Sequence, residues 1–120
     1  MPIRSDIQSV LDYISFHYAD PITVLDMSKL VALERSYFCR TFKNAMGVSP
    51  KEYLTKYRLD KARGFLTETT LPIGKIAECV GFQSFSSFSR LFIAQYQLSP
   101  SQDRKSFLKE EADEPCLGSH

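Results

Sequence analysis

The 120-residue sequence predicts an all-α fold of about seven helices. Apolar residues recur at the 3–4 spacing of a helix face, and no stretch alternates as a half-buried strand would. Short clusters of Ser, Thr, Asp, Gly and Pro interrupt the pattern where helices are expected to start and stop.

The first expected helix covers residues 4–19, with Ile7, Val10, Leu11, Ile14 and Tyr18 on one face and Asp20-Pro21 as its stop. Thr23, followed by Asp26, is a capping-box variant that opens a short helix to about Val31. After a break at 32–35, a helix is expected from about Ser36 to Met46, with Gly47 as a left-handed C-cap. Ser49-Pro50-Lys51-Glu52 is a strong start: Ser caps, Pro takes the first helical position, and Glu52 reaches back to the free amides. It opens a long helix to about Leu66, which residues 67–72 end. A short helix at 73–80, a turn at 81–84 and a helix from Phe85 to about Tyr96 follow. Ser99-Pro100-Ser101-Gln102 opens a last helix to about Lys109.

The expected organisation is two helical subdomains at 1–48 and 69–109, a linker helix at 49–68 and an acidic, disordered tail at 110–120. The net charge of +1 conceals an asymmetry. Residues 1–109 hold all fifteen basic side chains and only ten of the fourteen acidic ones, while Glu110, Glu111, Asp113 and Glu114 lie in the tail. A basic body suits a polyanionic partner better than the sum does. Neither a membrane span nor a leader is apparent, so a cytoplasmic location is expected.

Cys39, Cys79 and Cys116 show no CxxC spacing, and His17 and His120 stand far apart, so no zinc site or disulfide framework is expected. There is no nucleophile–base arrangement and no Gly-rich phosphate loop. An enzyme, a cofactor and a metal are accordingly not expected.

The sequence repeats itself. Phe38-Cys39-Arg40-Thr41-Phe42 returns as Phe88-Ser89-Arg90-Leu91-Phe92, and each copy is followed by Ser-Pro at the same distance. Upstream, Met27, Ser28, Val31, Ala32 and Leu33 match Ile76, Ala77, Val80, Gly81 and Phe82. Each copy reads as helix, tight turn, helix, with small residues where two steeply crossed helices need close approach. Phe38 and Phe42, like Phe88 and Phe92, are four apart and stack on one buried face. The opposite face carries Ser36, Cys39, Arg40 and Lys43 in the first copy and Ser86, Ser89, Arg90 and Ile93 in the second. Arg can donate two bonds to a guanine edge, and Ser can bond base or phosphate, so such a face fits a DNA major groove.

At this point the chain resembles the DNA-binding domain of AraC/XylS-type bacterial transcription regulators, over roughly residues 5–108. The resemblance rests on Ile22-Thr23, the run Tyr37 to Lys43, Gly47-Val48-Ser49-Pro50, Tyr53-Leu54, Arg58-Leu59, Lys61-Ala62 and Leu66. In the second half it rests on Ile76-Ala77, Val80-Gly81-Phe82, Phe88-Ser89-Arg90, Phe92 and Ser99-Pro100. It implies two helix-turn-helix subdomains bridged by the long helix, with recognition helices entering major-groove segments about 34 Å apart. It also implies double-stranded DNA as partner, a monomeric state for this segment, and an activator that touches RNA polymerase. Carried over by position, the base readers are Ser36, Cys39 and Arg40 on the first recognition helix and Phe85, Ser86, Ser89 and Arg90 on the second. Arg35, Lys43 and the helix-start amides are the expected phosphate contacts.

The chain departs from the family at several positions. Ile93-Ala94 stands where a basic residue is usual, so the first copy is expected to be the main anchor. Phe85, at a usually polar site, is expected either to meet a thymine methyl or to pack against a partner protein, the DNA role being slightly favoured. Gln97 stands where Gly commonly ends the helix, and Asp103 replaces an aromatic. Cys39 is read as a small groove-facing residue, Tyr37, Tyr53 and Tyr57 as packing, and Arg58 as one half of a structural ion pair. The competing reading is a protein-interaction module that kept this fold and lost DNA affinity. Only a DNA reader would lose affinity steeply as salt rises.

Overall fold

Side chains at the helix starts fix where each element of this chain begins. The computed structural model describes residues 4–106. Within them lie α1 (Ser5–His17), α2 (Val24–Leu30), α3 (Arg35–Met46), α4 (Pro50–Glu68), α5 (Ile73–Cys79) and α6 (Phe85–Tyr96). Helix α7 occupies residues 100–106; its expected continuation to Lys109 and the 110–120 tail lie outside the described residues. The three expected capping boxes form. Thr23 and Asp26 exchange bonds of 3.1 and 2.9 Å, Ser49 and Glu52 bonds of 3.2 and 3.1 Å, and Ser99 and Gln102 bonds of 3.1 and 2.9 Å. Helix α3 starts one residue earlier than expected because Glu34 caps it, its carboxylate accepting from the amides of Ser36 and Tyr37 at 3.1 Å each.

The chain divides into two compact units, Met1–Arg58 and Leu59–His120, with the boundary inside α4. In the first unit Ile7, Val10 and Ile14 of α1 form a core with Met27, Phe38, Phe42 and Leu54. In the second unit Leu59, Ala62 and Leu66 of α4 are buried, as are Ile76, Ala77, Val80, Phe88 and Phe92. The buried triplets Ile7/Val10/Ile14 and Leu59/Ala62/Leu66 share one 3–4 spacing, so the C-terminal half of α4 serves the second unit as α1 serves the first. Each fully buried Phe contributes about 1.5–3 kcal/mol.

The two turns are superimposable in their bonding. Leu33 N–H donates to the Ser28 carbonyl and Ala32 N–H to that of Lys29; Phe82 donates to Ala77 and Gly81 to Glu78 in the same pattern, all at 3.0–3.1 Å. This double bond pattern is a Schellman motif, which requires a left-handed residue at the turn. Ala32 (φ 55°) and Gly81 (φ 101°) take that position. At the close crossing, the buried Ser28 hydroxyl is satisfied by donating to the Leu25 carbonyl at 2.9 Å. Helix α3 ends at Gly47 (φ 84°) as expected, and α6 ends with Gln97 in the same left-handed conformation (φ 67°) without a glycine.

Arg58 has a different role from the one expected. Arg58 is held by backbone carbonyls rather than by a carboxylate: its Nε donates to the Tyr18 carbonyl at 2.6 Å and its Nη2 to that of Asp20 at 2.9 Å. Carbonyls past the end of α1 need donors, and a guanidinium supplies two in a fixed fork. Arg104 does the same beyond α4, donating to the carbonyls of Leu66, Thr69 and Leu71 at 2.8–3.1 Å. Asp103 is buried and takes both arms of Arg63, at 3.1 Å each, while the Arg63 guanidinium lies 4.6 Å from the Tyr96 ring centroid. The Tyr96 hydroxyl donates to Asp60, and burial followed by that carboxylate raises the phenol well above its usual range.

Candidate nucleic-acid interface

Helices α3 and α6 each turn a phenylalanine pair inward. Phe38 and Phe42 are fully buried with ring centroids 5.9 Å apart, and Phe88 and Phe92 likewise at 5.7 Å. That anchoring fixes which residues point outward. On α3 the exposed set is Arg35, Ser36, Tyr37, Arg40, Lys43, Asn44 and Ala45. On α6 it includes Phe85, Ser86, Arg90, Ile93 and Ala94. Seven of the nine residues expected to meet DNA are thus exposed: Arg35, Ser36, Arg40, Lys43, Phe85, Ser86 and Arg90.

Cys39 and Ser89 sit one step round the helix and are half-buried, Cys39 packing partly against the core of its unit. The outward crest of each helix is therefore Ser36/Arg40/Lys43 and Ser86/Arg90/Ile93, with Cys39 and Ser89 on its flank. This leaves Cys39 with less outward-facing surface than the sequence pattern alone suggests.

The helix starts differ from the expectation as well. The Ser36 and Tyr37 amides, expected to receive phosphate, already serve the Glu34 carboxylate, and these bonds hold Glu34 below the usual carboxylate range. Helix α6 is capped instead by a neutral hydroxyl, Ser84 Oγ accepting from the Ser87 amide at 3.2 Å.

Tyr37 and Arg4 were not picked out by the repeat. Tyr37, expected to pack, is 44% exposed. The adjoining Arg4 guanidinium, then the Thr41 hydroxyl, hold its phenol below the usual value. Arg4, Tyr37, Arg40, Thr41 and Asn44 line one shallow cleft, which extends the polar surface around Arg40. Arg4 lies far from Tyr37 in sequence, and no local spacing could have paired them. Among the described residues no group of His, Cys, Asp and Glu is arranged to hold a metal, and no helix is long and apolar enough to cross a membrane.

Two closely bonded helical pairs, each presenting an Arg-bearing second helix on an aromatic base, define a DNA-binding helix-turn-helix protein. The model of a helix-turn-helix domain family matches residues 27–106. The chain is 37% identical over 105 residues to the lactose operon transcription activator of Staphylococcus xylosus, covering 88% of this chain and 38% of that protein. Among solved structures, the C-terminal domain of AraT, a response regulator from Geobacillus stearothermophilus, superposes with a TM-score of 0.84 at 30% identity, covering 88% of each chain. The DNA-binding domain of AdpA, a global transcriptional factor solved in complex with a target DNA, shares the fold with a TM-score of 0.86 at 20% identity, over 89% of this chain and 96% of that one. The chain belongs to the AraC-type helix-turn-helix family of DNA-binding transcription regulators. It spans less than two fifths of the length of the curated relatives it matches.

Proposed function

We propose that this chain reads two adjacent major-groove segments of one DNA duplex, α3 being the anchor and α6 the refinement. The observation that carries this reading is the matched crest of the two helices: Ser36 and Arg40 correspond to Ser86 and Arg90, while Lys43 corresponds to Ile93. Arg40 and Arg90 are the direct base readers, and Ser36 and Ser86 bond base or phosphate. Cys39, Ser89 and Phe85 make contacts at the flank. Arg35 and Lys43 neutralise phosphates, which dominates affinity and is confined to the first helix. The similarity to a lactose operon transcription activator supports activation as the outcome. RNA polymerase as a further partner, a monomeric state and a cytoplasmic location belong to the same proposal.

In-vitro selection of bound duplexes from a random library tests this reading. Two short enriched blocks spaced by about one helical turn are expected; no enrichment at low salt would sink it. On the selected site, Arg40→Ala is expected to weaken binding by about 1–3 kcal/mol and Arg90→Ala by clearly less at the same salt. Equal losses would remove the distinction between anchor and refinement.

A further inference from the structure

Positions fifty residues apart on α3 and α6 can be compared one by one because both helices hang from equivalent phenylalanine pairs. Ser36 and Ser86 match, as do Arg40 and Arg90. The two changes that remove a cation are Arg35 to Phe85 and Lys43 to Ile93. In both, an exposed cation in the first unit is replaced by an exposed large apolar side chain in the second: Phe85 is 52% exposed and Ile93 is 44% exposed. Their neighbours on the same arc, Ser86, Ser89 and Arg90, keep the polar pattern of a groove reader. The Phe85 ring rests against that of Phe88, with centroids 6.2 Å apart, which gives the exposed ring a fixed base.

The major-groove edge of DNA offers one apolar group, the 5-methyl of thymine. We propose that α6 recognises a thymine-bearing block, Phe85 and Ile93 packing on thymine 5-methyls on either side of the bonds made by Ser86 and Arg90. The inference rests on the groove reading above and adds to it the chemistry of the second block. Specificity there comes from excluding water around methyl groups, so it is insensitive to salt. At the first block, by contrast, cations hold phosphate.

The test uses the full chain and its selected duplex, with thymines of the second block replaced by deoxyuridine. That exchange removes the 5-methyl and leaves every hydrogen-bonding edge in place. Affinity is expected to fall about fourfold per contacted thymine, the equivalent of one buried methyl, with an unchanged salt slope. The same exchange in the first block is expected to have less effect. Phe85→Ala and Ile93→Ala should each weaken binding to the thymine duplex and lose the discrimination against uracil. Ile93→Lys should lose that discrimination while steepening the salt slope by about 0.9. Circular dichroism of each variant verifies that the helices are retained.

Equal binding of thymine and uracil duplexes by a protein that still selects the site overturns the methyl reading and leaves the groove reading standing. Unchanged DNA affinity in Phe85→Ala and Ile93→Ala also overturns it and reassigns the apolar pair to a protein partner. Absence of any site selection overturns both readings together.

Discussion

Glu34 and Ser84 hold the same place, one residue before a recognition helix, and do the same job with different charge. The pattern extends across the two units. Thr23–Asp26, Glu34 and Ser49–Glu52 put a carboxylate at each of the first unit's later helix starts, where the second has Pro72, Ser84 and Ser99–Gln102. Backbone strain is shared out reciprocally. The first unit has Ala32 at its turn and Gly47 after its recognition helix, whereas the second has Gly81 at its turn and Gln97 after the helix. Tyr53, whose ring meets Phe42 edge-on in the first unit, corresponds to Asp103, the buried carboxylate paired with Arg63. The comparison teaches that a duplicated frame fixes positions and hydrogen-bond geometry, while the residue type at each position drifts among those that satisfy the same constraint.

Truncating the inward rings is the strongest challenge to that equivalence. Phe42→Ala and Phe92→Ala are each expected to cost about 3–5 kcal/mol, measured by urea denaturation. A difference of more than half between them would show that the two units do not share a common packing scheme.

The ion pair of the second unit ranks next. Arg63→Ala leaves the buried Asp103 carboxylate without its charged partner and is expected to cost about 1–3 kcal/mol. Arg63 is itself 48% exposed, so Asp103→Ala, which strands only a hydrated cation, should cost clearly less. Replacing the pair together, Arg63→Leu with Asp103→Tyr, imitates the Leu11 and Tyr53 of the first unit and should come out close to neutral. Thermal melts of the three variants check the order.

The left-handed positions give a smaller, four-way test. Gly47→Ala and Gly81→Ala should each lose about 1–2 kcal/mol, because a Cβ is disfavoured at positive φ. At Gly47 nothing lies within 4 Å of an added Cβ, so the loss there is purely conformational. Ala32→Gly and Gln97→Gly should each gain a smaller amount, since glycine's extra freedom in the unfolded chain offsets about 0.4–1 kcal/mol of the relief. A loss in either would mean that side-chain contacts outweigh backbone strain at that site.

Acid should separate the units by the smallest effect. Glu34 and Glu52 are held below the ordinary carboxylate range by the amides and hydroxyls they cap. Groups with lowered pKa values in the folded state stabilise it above their unfolded value, about 4.3 for Glu, and lose that contribution as pH falls through the folded value. The protection factors of the Ser36, Tyr37 and Ser49 amides, which allow for the slower intrinsic exchange in acid, should therefore fall as the pH is taken from 6 towards 3. The Ser87 and Gln102 amides, bonded to neutral hydroxyls, should respond less.

Much of this was legible in the sequence. Capping boxes are local, so Thr23–Asp26, Ser49–Glu52 and Ser99–Gln102 could be read from spacing alone. The inward Phe pairs follow from four-residue periodicity, and the repeat located both turns. Long-range partners could not be read this way. Arg58 finds carbonyls forty and thirty-eight residues away, Arg63 finds Asp103 forty residues away, and Arg4 meets Tyr37 across the first unit. Glu34 escaped notice because Glu is an unusual N-cap, outside the Ser, Thr, Asp and Asn preference. The half-burial of Cys39 needed the direction of the α3 axis relative to its core, which periodicity fixes only to within a residue.

Helix α4 is used twice: Pro50, Leu54 and Arg58 complete the first unit, and Leu59, Ala62, Arg63 and Leu66 begin the second. Dissection of the chain must therefore duplicate this helix rather than cut it. Cleavage between Arg58 and Leu59 would leave both halves with a frayed stub, Arg58 becoming a chain terminus while its guanidinium still has to close the end of α1. Overlapping fragments, one ending at Glu68 and one starting at Ser49, would each carry a whole copy of α4 with its own Ser-Pro start. A modular engineer wishing to exchange one reading head for another should place the junctions outside 49–68 and carry that segment along with either half.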